Sequence, residues 1–404
     1  MGIDPIQSRL ARTTNLGIRC QQTNIGSSAI RMLETVKPKV SIAIPCLNES
    51  EHVEATIRGL LGDCYPNIVQ VLVADGGSTD GTQDIVRKVI QCDPRVRLVH
   101  NHRRLQSYGL NMMLDVAFGD IFLRADAHCE YSPDYVSKCV EELLRTNAAN
   151  VGGAQRIVAK TAFQLGLSLA ARSILGNGGA KFRDWKYEGS ADTVFLGCFW
   201  TGHLRAVGGY SSDVLVNEDA ELNLRLRRCV LRPHFKKVMH VGTQGWGQID
   251  RRNVVFVSAR IGVYYFPRKT ARALFLQYLK YGRGRFLTVA KHRLRVPGRV
   301  LMIPIGITLI LLAFVLLMVK KGPELALSLL IVLSAIPLVE SLRLLAVYRD
   351  QLMSVMWRGD ESEVPSRLET VCYSSVALVI MPIAYSCGFA YQAIRRLVFG
   401  KPAW

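Results

Sequence analysis

Apolar and polar positions fall into two repeating kinds of run over the first two-thirds of the chain. Residues 40–45 (Val-Ser-Ile-Ala-Ile-Pro) read as a buried strand, and residues 51–61 as an amphipathic helix. The alternation continues: a strand at 68–74, a helix at 82–90 with Thr82 as its N-cap, a short strand at 96–99, a helix at 106–118 and a strand at 121–125. Ser132-Pro133 then opens a helix to about residue 145, with Ser as N-cap and Pro in the first turn. Residues 163–175 and 219–229 keep helical spacing, and 253–266 contains strand-like runs. Strands alternating with helices predict an α/β fold, a Rossmann-like and mostly parallel sheet with helices on both faces.

Past residue 300 the pattern changes to apolar stretches at 300–319, 325–348 and 371–394. The first and third carry no charge and are long enough to span a hydrocarbon core of about 30 Å. The middle one holds Glu340 and Arg343, which fit either an ion pair inside a bundle or a span ending near Val339. The chain has 404 residues and a net charge of +19, and it contains no acid from Arg251 to Pro323. A basic block leading into an apolar stretch fits an anionic cytoplasmic leaflet and the positive-inside rule. It argues against nucleic acid as the basic region's partner. The ten cysteines lack paired metal-ligand spacing and read as reduced thiols. Residues 1–38 form a polar arm without a signal-peptide core, and Ile6 breaks an apparent myristoylation start at Met1-Gly2. The expected organisation is an arm at 1–38, a catalytic-sized domain at 39–266, basic amphipathic helices at 267–299 and a transmembrane region at 300–404. This predicts a multi-pass protein of the cell inner membrane with its α/β domain in the cytoplasm. Three full crossings and an even number with a re-entrant 325–348 both remain open.

Chemistry gathers where strands end. In an open α/β sheet, ligands bind in the crevice at the carboxyl ends of the strands. Asp75 closes one strand and leads into Gly76-Gly77-Ser78-Thr79-Asp80-Gly81-Thr82, a turn whose glycines let backbone approach a ligand. Asp126-Ala127-His128 follows another strand and places a carboxylate and an imidazole where they can bracket a divalent cation.

Several ordered motifs resemble the family 2 inverting glycosyltransferases with a GT-A fold, over residues 39–299, in the style of the succinoglycan-type bacterial enzymes. Pro45, Asn48 and Glu49 match the opening strand and loop that hold base and ribose. The resemblance gives Asp75, Gly76, Ser78 and Asp80 to the nucleotide, and Asp126 and His128 to Mn²⁺ or Mg²⁺ in place of the family's Asp-x-Asp. It makes Asp219 the catalytic base and Glu218 its neighbour that orients acceptor or helix; inversion needs a carboxylate opposite the leaving phosphate. Trp200 and Gly202 fall in a segment resembling the acceptor-side loop. Gln277, Lys280, Arg283 and Arg285 partly match the Gln-x-x-Arg-Trp helix beside the donor diphosphate, with Lys280 and Tyr281 replacing Arg and Trp. Residues 230–263, with His234, His240, Gly245-Trp246-Gly247 and Gln248, receive no assignment.

The resemblance implies transfer of a hexose, glucose from a UDP-sugar, to a polyprenyl-diphosphate-linked saccharide in exopolysaccharide biosynthesis. A polyprenyl-phosphate sugar synthase is the alternative enzyme. A non-catalytic membrane scaffold of an assembly complex is the alternative from another class.

Overall fold

Ile42 and Ile44 face one helical layer while Ala43 faces the other, so strand β1 (Val40–Cys46) is apolar at nearly every position. The same holds for β2 (Ile68–Asp75), where Val71 and Val73 oppose Leu72 and Ala74. Strands buried on both faces lose the polar alternation of a half-exposed sheet. The computed structural model describes residues 37–213, 216–230, 249–296, 298–301, 309, 312, 315 and 322–400. Most of the arm, most of the 300–319 stretch, and His234, His240, Gly245, Trp246, Gly247 and Gln248 lie outside the described residues.

The remaining strands are β3 (Val96–His100), β4 (Ile121–Arg124), β5 (Cys129–Tyr131), β6 (Asn150–Ile157), β7 (Gly189–Ser190), β8 (Phe195–Trp200) and β9 (Val255–Tyr265). They form one nine-stranded mixed sheet in the order β3-β2-β1-β4-β8-β6-β9-β5, with β7 also on β9. β1, β2, β3, β4, β6 and β9 run one way, and β5, β7 and β8 run against them. One face is covered by α1 (Val53–Leu61), α2 (Thr82–Cys92) and, after α3 (Gln106–Val116), α4 (Tyr135–Thr146). α3 covers the other face, with α8 (Glu218–Val230). Between them in the chain come α5 (Ala162–Ala170), α6 (Ile174–Asn177) and α7 (Thr201–Ala206).

Three local expectations change. Gly81, at φ 89°, is the N-cap of α2. Thr82 instead ties loops together: its hydroxyl donates to Asp80 Oδ1 at 2.5 Å and accepts the Glu49 amide at 2.9 Å. α4 starts at Tyr135, because Ser132 spends its backbone carbonyl on the Tyr135 amide in a preceding turn. The 163–175 run breaks after Ala170, where Ser173 caps a second short helix by accepting the Leu175 amide.

The C-terminal part holds α9 (Ala271–His292), α10 (Gly322–Tyr348) and α11 (Arg367–Phe399). α10 continues through Glu340 and Arg343, which pair at 2.7 Å, and Ser173 donates to the same carboxylate at 2.5 Å. Among the described residues, α11 is the helix long and apolar enough to cross a bilayer, yet 50% of its most apolar window is buried in protein. Tyr373 and Ser374 close over Gly166 of α5, and Met381 lies on Gly176. A Cβ on Gly282 would collide with the Tyr385 carbonyl, and one on Gly388 with the Leu279 carbonyl. α9 and α11 therefore touch backbone to backbone. The segment joining α10 to α11 returns to the sheet: the Met356 carbonyl accepts the Ala159 amide at 2.8 Å, and Arg358 donates to the Ala159 carbonyl at 2.7 Å.

Candidate active site

β1, β2 and β4 end side by side, and their last residues carry the polar groups. Cys46 pairs with Asp75 across β1 and β2, and the Ala43 carbonyl accepts the Ala125 amide beside β4. The Asp75 carboxylate organises its own turn, accepting from the Gly77 and Ser78 amides, the Ser78 hydroxyl and Gln83 Nε2 (2.6 Å). Asn48, at φ 56°, binds the neighbouring loop through Ser78 Oγ (2.8 Å) and the Thr79 amide (2.9 Å). Asn tolerates this left-handed backbone better than most side-chain residues. Asp80 accepts the Ser50 and Thr82 amides, which with the Thr82 hydroxyl hold its carboxyl well below the usual range. Pro45, Asn48, Glu49, Asp75, Gly76, Ser78 and Asp80 thus share one pair of cross-tied loops.

The centre of the cluster is Arg124, the last residue of β4 and only 4% exposed. Its Nε donates to Asp126 Oδ1 at 3.1 Å, and Nη1 donates to Glu218 Oε1 at 3.0 Å and Asp219 Oδ1 at 2.6 Å. One cation thus faces three carboxylates. Burial pushes the Asp219 carboxyl up to about 7; Arg124 opposes this, and the charges of Glu218 and Asp126 add to it. α8 starts at Glu218 directly after Asn217, whose φ of 64° turns the chain into the helix. Asn217 Nδ2 donates to the Tyr281 carbonyl at 2.9 Å, which fixes this turn against α9.

Asp126 is held at its backbone as well. The Tyr131 hydroxyl accepts the Asp126 amide at 2.7 Å and reaches the Asp126 carbonyl at 2.8 Å. His128 Nδ1 lies 3.0 Å from Glu49 Oε1. Burial lowers the His128 pKa, but the Glu49 hydrogen bond and the Asp126 charge outweigh it, so the net shift is upward. Among the described residues, no three His, Cys, Asp or Glu side chains group to hold a metal ion. The donor set is therefore a carboxylate and an imidazole on one turn, beside an excess of negative charge. That fits a divalent ion taking its other ligands from a bound diphosphate and water, not a closed protein cage.

The helix α9 delivers its candidates unevenly. Gln277 Nε2 donates to the Tyr265 and Tyr281 hydroxyls at 3.1 and 3.0 Å, and the Tyr265 ring lies 6.0 Å from His128. Lys280 is exposed. Arg283 is turned the other way, donating to Gln392 Oε1 of α11 at 3.1 Å and covering Tyr391. Arg285 Nε is buried without a hydrogen-bond partner. Arg268, exposed on the loop before α9, acts electrostatically on His128.

Trp200 and Gly202 are misplaced by the sequence reading. β8 runs antiparallel to β4, so Gly197 lies opposite Arg124 while Trp200 lies opposite Ile121, at the far end of the sheet. Four residues of strand separate them from the carboxylates, on the order of 10 Å. The site end of β8 is Phe195 to Gly197. Sequence reasoning also left Arg124, Tyr131 and Asn217 without roles. For Arg124 the signal was a cation closing an otherwise apolar strand; such a charge, when buried, needs partners.

Residues 41–207 match the profile of Glycosyl transferase family 2. The chain is 36% identical over 273 residues to the succinoglycan biosynthesis protein ExoA of Rhizobium meliloti, covering 66% of this chain and 74% of that protein. It is 22% identical over 370 residues, 90% of this chain and 98% of the relative, to a dolichyl N-acetyl-alpha-D-glucosaminyl phosphate diacetamido-dideoxy-glucuronosyltransferase of Methanococcus voltae. Among solved structures, the mannosyltransferase PcManGT of Pyrobaculum calidifontis, in complex with GDP-Man and Mn²⁺, superposes with a TM-score of 0.45 at 18% identity, covering 93% of this chain and 94% of its own.

Proposed function

Since the chain belongs to glycosyl transferase family 2 and is a glycosyltransferase, we propose that it transfers a hexose with inversion. The donor is a UDP-sugar, most simply UDP-glucose, and the acceptor a polyprenyl-diphosphate-linked saccharide of exopolysaccharide assembly. The name of the Rhizobium meliloti relative supports the polysaccharide role. The observation that carries the mechanism is the Arg124 knot, which holds Asp219 beside Asp126 at the strand ends. In this reading the GT-A-type loops 45–49 and 75–80 hold the nucleotide. Asp126 and His128 would hold Mn²⁺ or Mg²⁺ together with the diphosphate, and the ion would offset leaving-group charge.

The acceptor oxygen attacks the anomeric carbon while the bond from that carbon to the diphosphate oxygen breaks. Asp219 takes the acceptor proton, and the nucleoside diphosphate departs. Arg124 and Glu218 keep the Asp219 carboxylate aimed, and its raised pKa suits a base that must accept a proton near neutrality. Arg268 serves the leaving diphosphate better than Arg283, which α11 occupies.

The protein works at the cytoplasmic face of the inner membrane. We place α11 along that face, because α9, packed against it, carries Arg272, Lys280, Arg283, Arg285 and Lys291. Crossing the hydrocarbon along 371–394 would draw those cations in with it.

A donor panel on the purified chain with membranes containing lipid-linked acceptors, read by product mass and anomeric configuration, tests this. The expected product gains one hexose in inverted linkage from UDP-glucose. EDTA should abolish transfer, and Mn²⁺ should restore it at least as well as Mg²⁺. Transfer undiminished in chelator, or a product of retained configuration, overturns the reading.

A further inference from the structure

Arg183 lies in a one-turn helix (Lys181–Arg183) between α6 and β7. Its Nη1 donates to the Tyr278 hydroxyl at 2.8 Å, and its Nε is buried without an acceptor. The groups that act on it electrostatically are the Tyr278, Tyr281 and Tyr265 hydroxyls. Among the described residues no carboxylate pairs with it. Arg183 is half-buried, and its guanidinium lies over the Phe182 and Tyr278 rings at 5.7 and 6.0 Å, so ring faces stand where an anion could bind it more strongly.

A narrow cleft gives this cation an outlet. Gln155, Arg183, Tyr265, Gln277, Tyr278 and Tyr281 form its polar side, the rest of its lining is apolar, and it has room for about one water molecule. Gln155 is 8% exposed, and its Oε1 is a second buried polar atom without a partner. The cleft adjoins the reaction centre on two sides. Tyr265 stands against His128, and the Tyr281 carbonyl holds Asn217, two residues before Asp219. Tyr278 also lines a neighbouring cleft of different character, walled by Leu175 and by Met381 and Pro382 of α11. A cleft with one cation on its polar side thus shares Tyr278 with an apolar cleft along the helix assigned to the membrane face, and an occupant would widen both.

We propose that these two clefts form the acceptor site: Arg183 binds a phosphoryl group of the lipid-linked acceptor, and the apolar cleft takes the start of its hydrocarbon chain. Tyr278 gives up its hydrogen bond with Arg183 when phosphate oxygens replace it. Gln155 Oε1 accepts a hydroxyl of the attached sugar. Arg183 is here a substrate-binding residue, and the proposal rests on the lipid-linked acceptor reading above.

The test measures binding by full-length protein in detergent. The probes are farnesyl diphosphate, inorganic diphosphate, farnesol and UDP. EDTA is present for the first three probes to silence the divalent-ion site, and Mn²⁺ is present for UDP, whose diphosphate that site holds. Farnesyl diphosphate should bind at least about tenfold more tightly than inorganic diphosphate or farnesol. Arg183→Gln should weaken it by about tenfold or more, Arg183→Lys should recover part of that loss, and UDP binding should not change. Leu175→Trp, which narrows the apolar cleft, should remove the advantage of farnesyl over inorganic diphosphate. Equal binding of the two diphosphates overturns the lipid half. Unchanged farnesyl diphosphate binding in Arg183→Gln overturns the site. A parallel fall in UDP binding also overturns it, by assigning the cleft to the donor. These outcomes separate from the wider reading. Transfer to lipid-linked acceptors with an acceptor KM insensitive to Arg183→Gln sinks only this site. Arg183-dependent binding without transfer sinks only the acceptor reading.

Discussion

Asp219 is held by one cation and repelled by two carboxylates, and its behaviour follows from that balance. Asp219→Asn should leave donor binding nearly intact and lower turnover by about a hundredfold or more, the scale of a lost general base. A base acts only when ionised, and burial lifts this carboxyl to about 7. The divalent ion that transfer requires, bound at Asp126, opposes that rise, so transfer should fall about tenfold per pH unit below a limb lying on the acid side of 7. Glu218→Gln should move that limb to still lower pH, by removing a like charge. A limb unmoved in Glu218→Gln would separate the titration from Asp219. Arg124→Gln strands three carboxylates and should cost about 3–5 kcal/mol at neutral pH, the range for breaking a buried ion pair. Urea unfolding should show the loss shrinking as pH falls, because protonation relieves the repulsion. Asp75, Asp126, His128 and Asp219 were legible in the sequence because each sits in a local pattern with a distinctive spacing. Arg124 was not, since its partners Glu218 and Asp219 lie 94 and 95 residues away and leave no local trace.

At the scale of elements, the strand–helix alternation was readable because strands buried on both faces and amphipathic helices have different periods. Strand direction is another matter. Nothing in the run Phe195 to Trp200 states that it lies antiparallel to β4, and that reversal moves Trp200 to the wrong end. Part of the role of α9 was also hidden: it read as an interfacial helix and as a helix beside the donor diphosphate, and it also braces the turn before Asp219. Gly284 meets the Val216 backbone, and Asn217 bonds to the Tyr281 carbonyl. Glu221 of α8, fully buried, receives Arg225 at 2.8 Å, and His292 Nε2 lies 2.8 Å from its carboxylate. Gly284→Ala should push the turn before Asp219 and lower kcat by about tenfold, with donor KM changed far less. Gly59→Ala is the control: its added methyl meets nothing, and it should raise stability by up to about 1 kcal/mol without altering kcat. Equal kinetics for the two variants would remove α9 from the positioning of the turn.

For the whole molecule, the sequence divided cleanly near residue 299, while the structure does not. Phe163, Leu167, Leu274, Tyr278 and Val289 share one apolar cluster with Leu378, Met381, Tyr385 and Phe389. Hydropathy reports that α11 avoids water but cannot distinguish lipid from protein as its neighbour. Protein ending at Arg299 should therefore expose this cluster and partition into the insoluble fraction without detergent. Recovery of a soluble, monomeric 37–299 chain that binds UDP would refute the shared wall.

The close meeting of Gly282 and Gly388 with the opposing carbonyls has an evolutionary consequence. Each helix is shaped to the backbone of the other, so neither can be inherited alone. Recombination between relatives at residue 299 would join halves that never adapted to each other. Exchanges that carry residues 271–292 together with 367–399 keep the fit, and chimeras should function along that line, not along the boundary that hydropathy suggests.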